Sequence, residues 1–104
     1  MSIVVVATIY PLPEHRDEVI AAFRDAVPTV HGEPGCALYA LHEGPDRLVM
    51  IEQWESRQAL EIHSKGDALR ALNPRLKDKL AAETEVLVFD PLPAGDDDRG
   101  RLRP

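Results

Sequence analysis

At 104 residues the chain has room for one domain, because a second core would be too small to support itself. Its 44% hydrophobic content is ordinary for a globular protein, and a formal net charge of -6 works against phosphate backbones and so against nucleic-acid binding. The lone Cys36 excludes an internal disulfide. With no basic-then-apolar leader and no apolar run of membrane-spanning length, the expected location is the cytoplasm, with no membrane partner.

Ile3 to Tyr10 is β-branched and aromatic throughout and is stopped by Pro11 and Pro13, so it reads as a strand. Pro13 suits the first turn of a helix, and Glu14, Asp17 and Glu18 place negative charge near that helix's N-terminus. Val19, Phe23, Ala26, Val27 and Val30 then recur at helical spacing, with Pro28 expected to distort or end the helix. Residues 31–35 form a turn-rich linker. Cys36 to Glu43 and Arg47 to Trp54 are two further strands around a tight Gly44-Pro45-Asp46 connection. Ser56 is placed to cap a short helix, Arg57 to His63. Asp67 can cap a second helix carrying Leu69, Leu72, Leu76 and Leu80, with a kink or a fresh start expected at Pro74. Thr84 to Asp90 is the last strand. Residues 1–93 thus make one domain, and the proline, glycine and charge of residues 94–104 predict a mobile tail.

The order β-α-β-β-α-α-β predicts an α+β domain of the ferredoxin-like plan, a four-stranded antiparallel sheet with its helices on one face. Alternation then says what the other face meets. Ile3, Val5, Ala7 and Ile9 point one way while Val4, Val6, Thr8 and Tyr10 point the other, and the two middle strands are also largely apolar at both parities. A sheet with one wet face would alternate apolar with polar. A homodimer packed sheet to sheet is the simplest cover for the second face.

Few residues offer chemistry. His15 reads as solvated and His31 as a turn residue, while His42 could belong to a pocket or its rim. His63 ends the short helix nine residues after Trp54, where it can face the sheet or merely complement the helix C-terminus. Trp54 is a core residue whose indole N–H needs a partner, so it often borders a polar cavity. Glu52, in an apolar strand, either pairs with an arginine or lies at a pocket or subunit junction. Tyr39 offers a phenol on a sheet face. Aromatic content of 5% leaves no base-stacking platform, and no zinc-finger spacing or glycine-rich phosphate loop occurs, so no cofactor or metal is implied.

The run Glu33-Pro-Gly-Cys-x-Leu-Tyr-x-Leu-His, then Leu48-Val-Met-Ile-Glu-x-Trp-Glu-Ser, then Ala59-Leu and His63, resembles the antibiotic biosynthesis monooxygenase family over about residues 2–92. It is most like the small stand-alone actinobacterial members. The resemblance implies a dimeric ferredoxin-like domain, sheets packed together, with a pocket between sheet and helices in each subunit. It also implies oxidation of phenolic or quinol substrates by O2 without metal or flavin. Relatives that degrade haem carry an Asn, a Trp and a His where this chain has Ala7, His63 and Leu72, so haem degradation is not expected. Relatives acting on polyketide quinones carry an Asn and a Tyr where this chain has Met50 and Leu60, while Trp54 is retained.

On this reading the chain is a cofactor-independent monooxygenase of a small aromatic phenol or quinol, with O2 as co-substrate. His63 is the candidate base by its intrinsic pKa, Trp54 a wall and indole donor, and Tyr39 a further donor. The alternatives are an isomerase of a small polar metabolite, or a non-catalytic dimeric binding or stress-associated module. Charged groups converging inside the pocket would favour the isomerase, and a pocket filled by side chains the module.

Overall fold

The computed structural model describes residues 2–103. The elements are β1 (Ile3–Ile9), α1 (Arg16–His31), β2 (Cys36–Glu43), β3 (Leu48–Trp54), α2 (Arg57–Ser64), α3 (Asp67–Leu76) and β4 (Glu85–Phe89), with a 3-10 turn at Pro13–His15 leading into α1. The strands pair in the order β2-β3-β1-β4, every pairing antiparallel. The two adjacent pairs β2-β3 and β1-β4 flank the central β1-β3 contact, which is the α+β, ferredoxin-like arrangement the sequence predicts.

Register sorts the side chains. Ile3 opposes Trp54, Val5 opposes Glu52, Ala7 opposes Met50 and Ile9 opposes Leu48, and all eight are buried under the helices. From α1 and α3, Val19, Phe23, Val30 and Leu72 close the same layer. Each fully buried aliphatic of this set contributes about 1.5–3 kcal/mol of transfer free energy.

Neither proline ends its helix. Pro28 lacks the N–H that would bond one turn back, yet α1 continues to His31. The last turn is held by Val30, wholly buried, and by His31 Nε2, 3.0 Å from the Tyr39 carbonyl. Likewise α3 runs through Pro74 to Leu76. It stops short of Leu80, however, because Lys77 turns extended and Asp78 takes φ 64°. Leu80 instead forms a bridge with Pro11. Gly66, not Asp67, occupies the cap position of α3. A register shift between Cys36 and Leu38 turns Cys36 to the same side as Tyr39, against the simple alternation expected of β2.

The opposite face carries no helix. Val4, Val6, Val49 and Ile51 are only half-buried there, and Leu87 and Phe89 are about half exposed. The tail folds back to the margin of this face, where the Gln53 Nε2–H donates to the Arg103 carbonyl at 3.2 Å. Gln53 Oε1 is buried without a partner among the described residues. Deleting residues 95–104 is expected to leave the melting temperature nearly unchanged, since glycine and charge bury little; a fall of many degrees would make the tail a structural element.

Candidate functional site

Between the sheet and α2–α3 lies a cavity of about 240 Å³. Its walls are aliphatic and aromatic, with Val5, Ala7, Phe23, Met50, Leu69 and Leu72 prominent. Tyr39, Glu52 and His63 supply its polar lining, together with Ser64, Asn73 and Thr84. Asn73 and Thr84 also border the open groove outside, so they mark the mouth.

Local sequence explains how His63 gets there. Ser56 Oγ caps α2 by accepting from the Ala59 N–H at 3.1 Å, which starts the helix directly after β3. Two turns later His63 is returned over the sheet, 4% exposed. Gly35, at φ 78°, allows the linker to pass beneath α2: a Cβ there would sit 2.6 Å from that of Ala59. This close approach brings Glu33 up to the end of α2, and His63 Nδ1 lies 2.6 Å from Glu33 Oε1. With Glu33 ionised, Nδ1 must carry the proton and donate it. The other ring nitrogen, Nε2, is 4.0 Å from Glu52 Oε1. Glu52 Oε1 in turn accepts from the Trp54 indole N–H at 2.9 Å.

Rings enclose this chain of polar groups. Trp54 lies against His63 with centroids 4.5 Å apart and planes 30° apart, and Tyr39 meets His63 edge-on at 5.3 Å. The three residues named from the sequence, His63, Trp54 and Tyr39, therefore form one cluster. Their parts differ from the expected ones. Trp54 is wholly buried behind the lining, and its N–H is engaged by Glu52 rather than offered to the cavity. Nor is the surround of His63 simply apolar, since two carboxylates flank it. Tyr39 keeps its O–H at neutral pH, because burial, with Glu52 and Glu33 nearby, pushes the phenol up. Tyr39 lines the cavity with its phenol in the protonated form.

Glu52 meets no arginine among the described residues, and it lines the pocket. Burial pushes its carboxyl above the usual carboxylate range, with Trp54 and His63 pulling it back and Glu33 adding to the rise. The folded state therefore binds this proton more tightly than the unfolded chain. The site's contribution to stability is full below the ordinary value of 4.5 and is lost as pH rises through the raised one. Glu52→Gln, which keeps an acceptor for the indole, should flatten that decline and raise the melting temperature at pH 7 by a few degrees. An unchanged pH slope would show that Glu52 does not set the decline.

Glu33 had no chemical role in the sequence reading. It stood in a turn-rich linker, and its partner is 30 positions away; only the quoted family motif included it. The other histidines stay outside the cavity. His15 meets Glu18 at the surface, His31 anchors α1, and His42 is exposed beside the hairpin with Nδ1 3.1 Å from the Ala40 carbonyl. The Cys36 thiol is half-buried and pushed up, first by burial and then by Glu33 and Glu52, as suits a packing residue. Among the described residues no group of three or more histidine, cysteine or carboxylate side chains is arranged to hold a metal ion, and no helix is long and apolar enough to cross a membrane.

Residues 2–75 match the family model described as antibiotic biosynthesis monooxygenase. The chain is 34% identical over 92 residues to the "Probable quinol monooxygenase YgiN" of Escherichia coli K12, covering 78% of this chain and 88% of that protein. The solved structure of Rv0793 from Mycobacterium tuberculosis superposes with a TM-score of 0.85 at 26% identity, covering 92% of this chain and all of the other. A crystal structure titled antibiotic biosynthesis monooxygenase gives 0.81 at 30% identity, covering 88% of this chain and 99% of the other.

Proposed function

This chain belongs to the antibiotic biosynthesis monooxygenase family, and we propose that it oxidises a small phenol or quinol with O2, without metal or organic cofactor, as a sheet-to-sheet homodimer in the cytoplasm. Family membership and the quinol monooxygenase relative support a monooxygenase-type activity. The observation that carries the finer reading is the His63 Nδ1–Glu33 contact at 2.6 Å, because it leaves Nε2, on the Glu52 side of the ring, as the nitrogen that can meet a substrate hydroxyl in the largely aliphatic cavity.

Closed-shell organic molecules react slowly with triplet O2, whereas a phenolate or quinol anion can give it one electron. His63 Nε2 takes the hydroxyl proton, with Glu33 steadying the imidazolium that forms. The anion passes an electron to O2, the substrate radical and superoxide combine through a C–O bond, and the resulting hydroperoxide loses water to leave a carbonyl. For a quinol with an open ring position the sum is quinol plus O2 giving hydroxyquinone plus water, so the substrate supplies every electron. The Tyr39 O–H is the donor for negative charge on the oxygens. The aliphatic walls keep water from the radical pair.

The convergence of His63, Glu33 and Glu52 also suits an isomerase, in which Nε2 would move a proton at a carbon beside a carbonyl. The predominantly aliphatic lining favours the oxygenase. The open cavity gives the non-catalytic module less support. Oxygen consumption by purified, chelator-treated protein on a panel of quinols and anthrones tests the proposal. Uptake with at least one of them is expected, and none with any would leave proton transfer as the better account. Ala7 and Leu72, the positions relevant to haem turnover, are cavity walls without ligating atoms. Haem with a reductant is therefore expected to show no progressive loss of the Soret band, and stoichiometric binding followed by bleaching would overturn that assignment.

A further inference from the structure

We propose that this cavity selects its substrate by charge, admitting neutral hydroxy-aromatics and rejecting those that carry a carboxylate or other anionic group. The inference rests on the oxygenase reading for the substrate's class but not for the selection itself. The sixteen residues that line the cavity include no lysine or arginine. At its polar end the charge is acidic: Glu52 is 5% exposed and lines the wall, and the Glu33 side chain lies behind His63, 14% exposed. Beyond the mouth, Arg70 and Lys77 line the outer groove rather than the cavity, and Arg70 is already paired with Asp67 at 3.2 Å.

A neutral hydroquinone meets complementary groups throughout. One hydroxyl can donate to His63 Nε2, and Glu52 has a second carboxylate oxygen besides the one holding the indole. The Tyr39 O–H can donate to the substrate oxygen. The ring then rests on Met50, Leu69 and Leu72. A carboxylated analogue has no such fit. Its anion would be stripped of water in an apolar chamber, find no cation, and stand within several ångströms of Glu52 in a medium where like charges repel strongly. Glu52 is thus the charge-selecting residue, one step beyond its contact with Trp54.

The test separates selection from turnover by measuring binding without oxygen. Trp54 is the only tryptophan in the chain and lies against His63, so its fluorescence reports occupancy of the site. Anaerobic titration with methylhydroquinone and with 2,5-dihydroxybenzoate at pH 7.5 compares two ligands of similar size and different charge. The neutral ligand is expected to bind about tenfold or more tightly. In Glu52→Gln the ratio should shrink to within about threefold, mainly through a gain for the anion. Equal binding of the two ligands, an unchanged ratio in Glu52→Gln, or binding of neither would each overturn the proposal. Calorimetric titration of the same pair in Glu33→Gln serves if the first variant folds poorly, with a smaller shrinkage expected because Glu33 is further from the ligand. Tight binding of the neutral ligand with no later oxygen uptake would sink the oxygenase reading and leave charge selection standing.

Discussion

His63→Ala is expected to lower turnover of an accepted quinol by about 10²-fold or more. The imidazole is the base of the proposed mechanism, with Glu33 2.6 Å from Nδ1 and Nε2 left to meet the substrate. Alanine also strands a buried carboxylate, which costs about 1–3 kcal/mol of stability. Activity should therefore be read at a temperature where the variant is shown to be folded. The double variant Glu33→Gln/His63→Gln separates the two effects, since neutral amides can keep a hydrogen bond but cannot accept the proton. It should be as inactive as His63→Ala and more stable. Full activity in either variant would return His63 to a packing role and leave the base unidentified.

The second large effect is expected at Val6. Its side chain points away from the helices, between Ile51 on β3 and Leu87 on β4 in the register, on the face proposed to meet a second copy. An aspartate there would be an unpaired charge at the centre of the apolar seam. The cost is about 3 kcal/mol or more, over a hundredfold in the dimer constant. Sedimentation at micromolar concentration should show a dimer for the native chain and a monomer, or misfolded material, for Val6→Asp. A native chain that sediments as a well-folded monomer would refute the sheet-to-sheet proposal.

Most of the fold could be read from the chain because its signals are local. The β-branched run of β1, the Gly44-Pro45-Asp46 turn and the Ser56 cap each specify a structure through their own backbone preferences. Where the structure overrides a local signal, the cause is the opposite one. Pro28 and Pro74 are local breakers overridden by tertiary anchors, Val30 and the His31–Tyr39 bond in one case and the buried Leu72 in the other. Alternation misassigned Cys36 because a bulge adds a residue that no sequence rule announces. At the site, His63, Trp54 and Tyr39 were legible as residue types at plausible spacing. Glu33 was not, because its role depends on a close approach that Gly35 permits between segments far apart in sequence. The Trp54–Glu52 bond was missed for a subtler reason: their shared parity was visible, but an indole seeking an acceptor was assigned to substrate rather than to its own strand neighbour.

Monooxygenation without a cofactor is tested most directly by turnover under isotopically heavy dioxygen, using protein treated with chelator and shown to be free of metal and flavin. The account predicts that the oxidised product carries one labelled oxygen atom and the water formed carries the other. Product without label, with the heavy oxygen recovered as hydrogen peroxide, would contradict it.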